Sequence, residues 1–129
     1  MFSKVNAIVL LVKKFDECVD FYTNVVGLNP KDKDTGFQSF SLDGHELALM
    51  DLTAASNMVS EDVIQPNMVG VHRVLLATFV EDTEKTYEEL KAKGVKFIKT
   101  PTKQPWGQVT ANFMDPEGNI WEISHFVSE

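Results

Sequence analysis

Glu122 is the side chain whose setting most invites chemistry. It follows the run Asp115-Pro116-Glu117-Gly118-Asn119, in a segment, Ile120 to Val127, that reads as a strand. A carboxylate on the inner face of a strand can anchor a cationic or hydrogen-bond-donating ligand. It can also serve as a general base. Left alone in an apolar setting its charge is expensive. Arg73 is the cation expected to project to the same side, and Glu46 would compete for it. Trp106, between Pro105 and Gly107, is the other residue of note. A loop indole either packs as a lid or stacks on a ligand. The histidines are His45, His72 and His125, and the lone cysteine is Cys18.

Those residues need elements to position them. Val109 to Met114 alternates and carries Val, Thr and Phe, so it predicts a strand. Asp115 to Gly118 predicts a tight turn, with Pro116 fixing φ and Gly118 or Asn119 supplying positive φ. The return strand then sets Ile120, Glu122 and Ser124 on one face, since side chains alternate along a strand.

Upstream, the pattern predicts a strand over Val5 to Val12 and a helix over Phe15 to Val26 ending at Gly27. Strands follow around Gly36 to Leu42 and Glu46 to Leu52, joined by the turn signal Asp43-Gly44. Thr53 to Gly70 is polar and reads as a linker. The order then repeats: strand Val71 to Phe79, helix Thr83 to Lys93 ending at Gly94, strand Val95 to Ile98, and the last hairpin. The expected fold is α+β, two βαβββ modules in tandem forming a cupped mixed sheet around a concave pocket. Residues 1–52 and 70–129 are the modules and 53–69 the linker, all in one compact unit.

Composition narrows the function classes. With 129 residues, 43% of them hydrophobic and nine phenylalanines among them, the chain can bury a core. A net charge of −7 with no basic run argues against nucleic acid or an anionic membrane as partner. A single cysteine excludes an internal disulfide and fits a reducing compartment. No apolar run is long enough to span a bilayer, and the N-terminus lacks a signal-peptide pattern. The expectation is a cytoplasmic protein. No glycine-rich phosphate loop suggests a nucleotide cofactor.

Phe21-Tyr22 followed by Gly27-Leu28, then Tyr87 to Val95, Gln104-Pro105-Trp106-Gly107 and Asp115 to Asn119, carry a resemblance that covers nearly the whole chain. The sequence resembles the vicinal oxygen chelate superfamily, which includes glyoxalase I, bleomycin-resistance proteins, fosfomycin-resistance enzymes and extradiol dioxygenases. Metal-dependent members of that superfamily present ligands from four inward strand positions. The resemblance maps these onto Ala7, Ala48, Leu75 and Glu122. Only Glu122 has a donor atom, whereas a catalytic divalent ion usually takes about three protein ligands. His72 and His125 are read as facing the other side of their strands from Leu75 and Glu122.

The reading is therefore a metal-independent small-molecule binding protein of the bleomycin-resistance type, with no cofactor and an apolar or aromatic ligand in the concave pocket. The ligand-contact set is Trp106, Arg73, Glu122, Ala7, Ala48, Leu75, Met50 and Phe40. The alternative is a glyoxalase-like lyase or isomerase that uses Glu122 as ligand to a divalent metal or as general base. A homodimer is expected by resemblance, with no nucleic-acid or membrane partner.

Overall fold

The computed structural model describes residues 7–62, 64–65 and 74–127. The chain divides into two compact units, Met1–Gly70 and Val71–Glu129, each with its own four-stranded mixed sheet.

In the first unit, β1 (Ala7–Val12) runs into α1 (Phe15–Asp20), which continues as a π-helical segment over Phe21–Val26. Gly27 ends it at φ 83°, a left-handed conformation that glycine adopts without a Cβ penalty. The Leu28 N–H then closes on the Tyr22 carbonyl at 2.8 Å. Three strands follow, β2 (Asn29–Asp34), β3 (Phe37–Leu42) and β4 (His45–Asp51), then α2 (Leu52–Met58). The sheet order is β1-β4-β3-β2, with β1 parallel to β4 and the other pairs antiparallel. Leu10, Val12, Leu47, Leu49 and Phe40 are buried with Cys18 and Tyr22 of the helix. The Tyr22 and Phe40 rings lie 6.0 Å apart.

Two elements of this unit go beyond the sequence reading. β2, Asn-Pro-Lys-Asp-Lys-Asp, is exposed throughout, so it has no hydrophobic period to detect. It is an edge strand, where proline and charge are tolerated and discourage further pairing. The Ser39 hydroxyl accepts the Asp32 N–H at 2.9 Å where the β2–β3 register shifts. In addition, the start of the stretch read as linker is helical. Leu52, Ala55 and Ser56 of α2 are buried, and α2 packs against β1 and β4. A short buried stripe set among polar residues falls below the length at which periodicity is legible.

The second unit repeats the plan. β5 (Leu75–Phe79), α3 (Thr83–Ala92), β6 (Phe97–Lys103), β7 (Gln108–Met114) and β8 (Ile120–Phe126) give the order β5-β8-β7-β6. β5 is parallel to β8 and the other pairs are antiparallel. α3 packs against β6, β7 and β8. Between them runs an aromatic file: Tyr87 meets Phe97 at 4.6 Å, Phe97 meets Phe113 at 5.5 Å, and Phe113 stacks on Trp121 at 6.3 Å. β6 extends past Ile98, where the sequence reading ended it, through Pro101 to Lys103. It too is an edge strand with register shifts. Residues 71–73, expected to open β5 and including the candidates His72 and Arg73, lie outside the described residues, as does Val5, expected to open the first strand.

Candidate functional site

The β7–β8 hairpin builds the candidate site. Its turn is organised by Asp115, which is buried. One carboxylate oxygen accepts the N–H groups of Glu117 and Asn119 at 2.9 and 2.8 Å, and the other accepts the Asn119 side-chain amide at 2.8 Å. Gly118 carries the positive φ, 93°. That turn fixes the register Gln108↔Phe126, Thr110↔Ser124, Asn112↔Glu122 and Met114↔Ile120. β5 adds Leu75↔Ile120, Ala77↔Glu122 and Phe79↔Ser124. Paired residues share a face, so Glu122 has Ala77 on one side and Asn112 on the other, on the face that α3 does not cover.

At the Gln108 end of this face the large apolar groups are exposed. Phe79 and Phe126 are 72% and 61% exposed although their rings pair at 5.9 Å. Trp106 is 65% exposed, yet its indole N–H is anchored, donating to Gln108 Oε1 at 2.8 Å. Gln108 Nε2 donates in turn to Ser124 Oγ at 2.8 Å, and Gln104 Nε2 donates to Thr110 Oγ1 at 2.9 Å. The loop bearing the tryptophan is closed by backbone bonds: Gln104 N–H to the Gln108 carbonyl at 2.7 Å, and Gly107 N–H to the Gln104 carbonyl at 2.9 Å. Val127 N–H donates to the Gly107 carbonyl at 2.8 Å.

Glu122 is half-buried. No described residue is hydrogen-bonded or ion-paired with it. Its expected partner, Arg73, lies outside the described residues. Its expected competitor, Glu46, is paired instead with Lys31 across the first sheet. That hydrogen bond, and then the charge of Glu46, raises the Lys31 ammonium above its ordinary 10.5. The sequence reading missed this pair because Lys31 sits in the strand it did not detect.

The remaining candidates are placed as follows. In the first unit, Ala7 pairs with Glu46, and Ala48 with Val9, so Ala7, Ala48 and Met50 share the face of β1 and β4 turned away from α1. Phe40 is not brought together with them. It pairs with Leu47 and is fully buried on the helix side against Tyr22. In the second unit, Leu75 shares the face of Glu122. His125 is on the opposite face, where its Nδ1 accepts the Thr83 N–H at 2.9 Å at the start of α3. The signal that finds Gln108, Ser124 and Thr110 was already in the alternation. Ser124 was set beside Glu122 by that alternation, and Gln108 and Thr110 follow it across the hairpin register, but none of the three carried a motif.

A divalent ion would need donors beside Glu122. Its register neighbours Ala77 and Asn112 offer no imidazole, thiolate or second carboxylate. Among the described residues no three His, Cys, Asp or Glu side chains gather. Among the described residues, the donors beside Glu122 do not fit a catalytic metal. Away from these residues, the first unit has an open depression of about 420 Å³ that includes Lys13, Asp16, Gly36, Asp51 and Asn57. It is lined by none of the candidates.

Comparison with known proteins gives a consistent frame. Residues 4–123 match the family model described as the Glyoxalase/Bleomycin resistance protein/Dioxygenase superfamily. The uncharacterized protein YraH of Bacillus subtilis (strain 168) is 30% identical over 93% of this chain and 96% of its own length. A crystal structure of a glyoxalase/bleomycin resistance protein/dioxygenase from Nocardioides superposes with a TM-score of 0.85 at 23% identity. The match covers 99% of this chain and 86% of that one. A lactoylglutathione lyase from Agrobacterium tumefaciens superposes with a TM-score of 0.75 at 20% identity, over 96% and 94% of the two chains. At such identities these two likenesses speak for the fold. Among the described residues no helix is long and apolar enough to cross a membrane.

Proposed function

The chain belongs to the Glyoxalase/Bleomycin resistance protein/Dioxygenase superfamily. From that premise we propose that it is a metal-independent small-molecule binding protein, similar to the bleomycin-resistance type, which takes a planar aromatic ligand on the face of β5, β8 and β7 away from α3. The observation that carries the reading is Trp106. An indole left in water is unfavourable, and this one is held still by its N–H bond to Gln108 beside two further exposed rings, Phe79 and Phe126. A pre-positioned aromatic surface loses little conformational entropy on stacking. Glu122, further along the same face, would accept from a donor group on the ligand. The same reading makes the protein a cytoplasmic homodimer, which sedimentation would check.

Fluorescence titration with a panel of planar aromatic compounds tests the proposal. Ligand-dependent quenching in the wild type that is lost in Trp106→Phe is the expected result. Trp121, buried against Phe113, serves as the silent reference. A panel that leaves the emission unchanged, or quenching that persists in Trp106→Phe, overturns it.

A second reading, a glyoxalase-like lyase or isomerase step, is favoured by one observation. Glu122 is a half-buried carboxylate with no partner among the described residues, which suits a general base. Turnover of a hemithioacetal substrate that disappears in Glu122→Gln would support it.

A further inference from the structure

The hydrogen bonds around Trp106 have a direction, and the direction is forced. An indole N–H donates and cannot accept. Its partner atom on Gln108 must therefore be the carbonyl oxygen, Oε1, as found at 2.8 Å. The opposite amide orientation would set an NH₂ group against an N–H. With Oε1 committed to the indole, Gln108 faces Ser124 with Nε2, which can only donate. Ser124 Oγ is thus the acceptor of this bond, and its own proton is not used in it.

No described residue accepts the Ser124 hydroxyl proton. Ser124 is only 2% exposed, and a buried donor without an acceptor is destabilising. The residue lies on the ligand face, between Phe79 and Thr110 across the strands and next to Glu122 and Phe126 along β8. Resting on the reading above, we infer that Ser124 presents its hydroxyl proton to the ligand, and that the ligand carries a neutral carbonyl oxygen on its aromatic body to receive it.

The oxygen is neutral for an electrostatic reason. Glu122 stands two positions along the same face of β8, roughly 6–7 Å away, and the chain carries a net charge of −7. An anionic acceptor would be repelled, whereas a ketone, amide or lactone oxygen would not. Gln108 is then a positioning residue. It couples the stacking surface of Trp106 to the polarity of Ser124, so that one side chain orients both recognition elements.

Equilibrium dialysis with two matched probes, 2-acetylnaphthalene and 2-ethylnaphthalene, tests this. The ethyl compound is the more apolar, so burial alone would favour it. The wild type is expected to bind the acetyl compound about tenfold more tightly, the effect of one hydrogen bond to a buried donor. That ratio should fall to about one in Ser124→Ala. It should fall equally in Gln108→Glu, where serine is retained. A carboxylate there accepts from both the indole and the Ser124 hydroxyl, turning the proton away from the ligand. Loss of packing weakens both probes and does not abolish a preference between them in this way. Equal or tighter binding of 2-ethylnaphthalene by the wild type overturns the inference and leaves the aromatic-binding reading standing, as does an unchanged ratio in both variants. Failure of both naphthalenes to bind overturns the inference and the aromatic-binding reading together.

Discussion

His125 Nδ1 lies 2.9 Å from the backbone nitrogen of Thr83 and 2.7 Å from its hydroxyl oxygen, tying β8 to the first residue of α3. Thr83 is fully buried, and its hydroxyl oxygen also lies 3.0 Å from the Val109 carbonyl of β7. Because the Thr83 N–H donates to it, Nδ1 is the unprotonated nitrogen of the ring. One contact thus satisfies a helix-terminal N–H that has no partner within the helix.

His125→Ala leaves that buried N–H without its acceptor. Urea unfolding is expected to show a loss of about 1–3 kcal/mol. Binding of the naphthalene probes, on the other face of the sheet, should be unchanged. A fall in probe affinity as large as the fall in stability would show that His125 shapes the ligand face.

Asp82 caps the same helix by accepting the Lys85 N–H at 3.1 Å, and this bond holds its carboxyl below the ordinary value of 3.8. A carboxyl depressed in the folded state contributes stability above its unfolded pKa and loses that contribution as pH falls through the folded value. Asp82→Asn keeps a capping oxygen without a titrating charge. The wild type should therefore lose its advantage over the variant on the acid side of 3.8, measured by thermal unfolding at a series of pH values. A difference constant with pH would assign the effect to something other than the carboxylate.

Asp115 gathers three donors in the β7–β8 turn. Asp115→Ala should cost about 1.5–3 kcal/mol, the range for a hydrogen bond to a charged group. Asp115→Asn should be intermediate, because one of its polar atoms is a donor. Loss of structure at the turn should also shift the Gln108↔Phe126 register, so probe binding should weaken in parallel. Unaltered binding in a strongly destabilised Asp115→Ala would show that the ligand face is set elsewhere.

For metal, the purified protein can be incubated with excess zinc, nickel, manganese or iron(II), desalted and assayed for metal content. Retention well short of one equivalent is expected, equal in wild type and Glu122→Ala. Near-stoichiometric retention that falls in Glu122→Ala would replace the binding reading with a metalloenzyme.

The last hairpin was legible because local chemistry determines it. Alternation from Val109 to Met114, a proline-fixed turn, and glycine at the positive-φ position leave little choice of register, and that register sets Glu122 with Ser124. The repeat of strand, helix and hairpin was legible for the same reason, since the helix of each repeat runs to a glycine, Gly27 or Gly94, and each sheet has a hydrophobic face. β2, the latter part of β6, and α2 were not legible. An edge strand is stabilised by pairing with its neighbour and needs no buried face, so Asn29–Asp34 carries no pattern. α2 is held by packing on β1 and β4.

Phe40 shows the limit of residue type. As a large aromatic it suited either ligand or core, and its pairing with Leu47 put it in the core. The sequence by itself determined the fold, the face on which Glu122 lies and the absence of donors at Ala48 and Leu75, because these follow from local periodicity and side-chain chemistry. Only the tertiary structure decided that Lys31 takes Glu46, that His125 serves α3, and that Trp106, Gln108 and Ser124 form a directed chain. Hydrogen bonds between strands depend on which atoms come within reach and in what orientation, and a one-dimensional pattern holds no record of either.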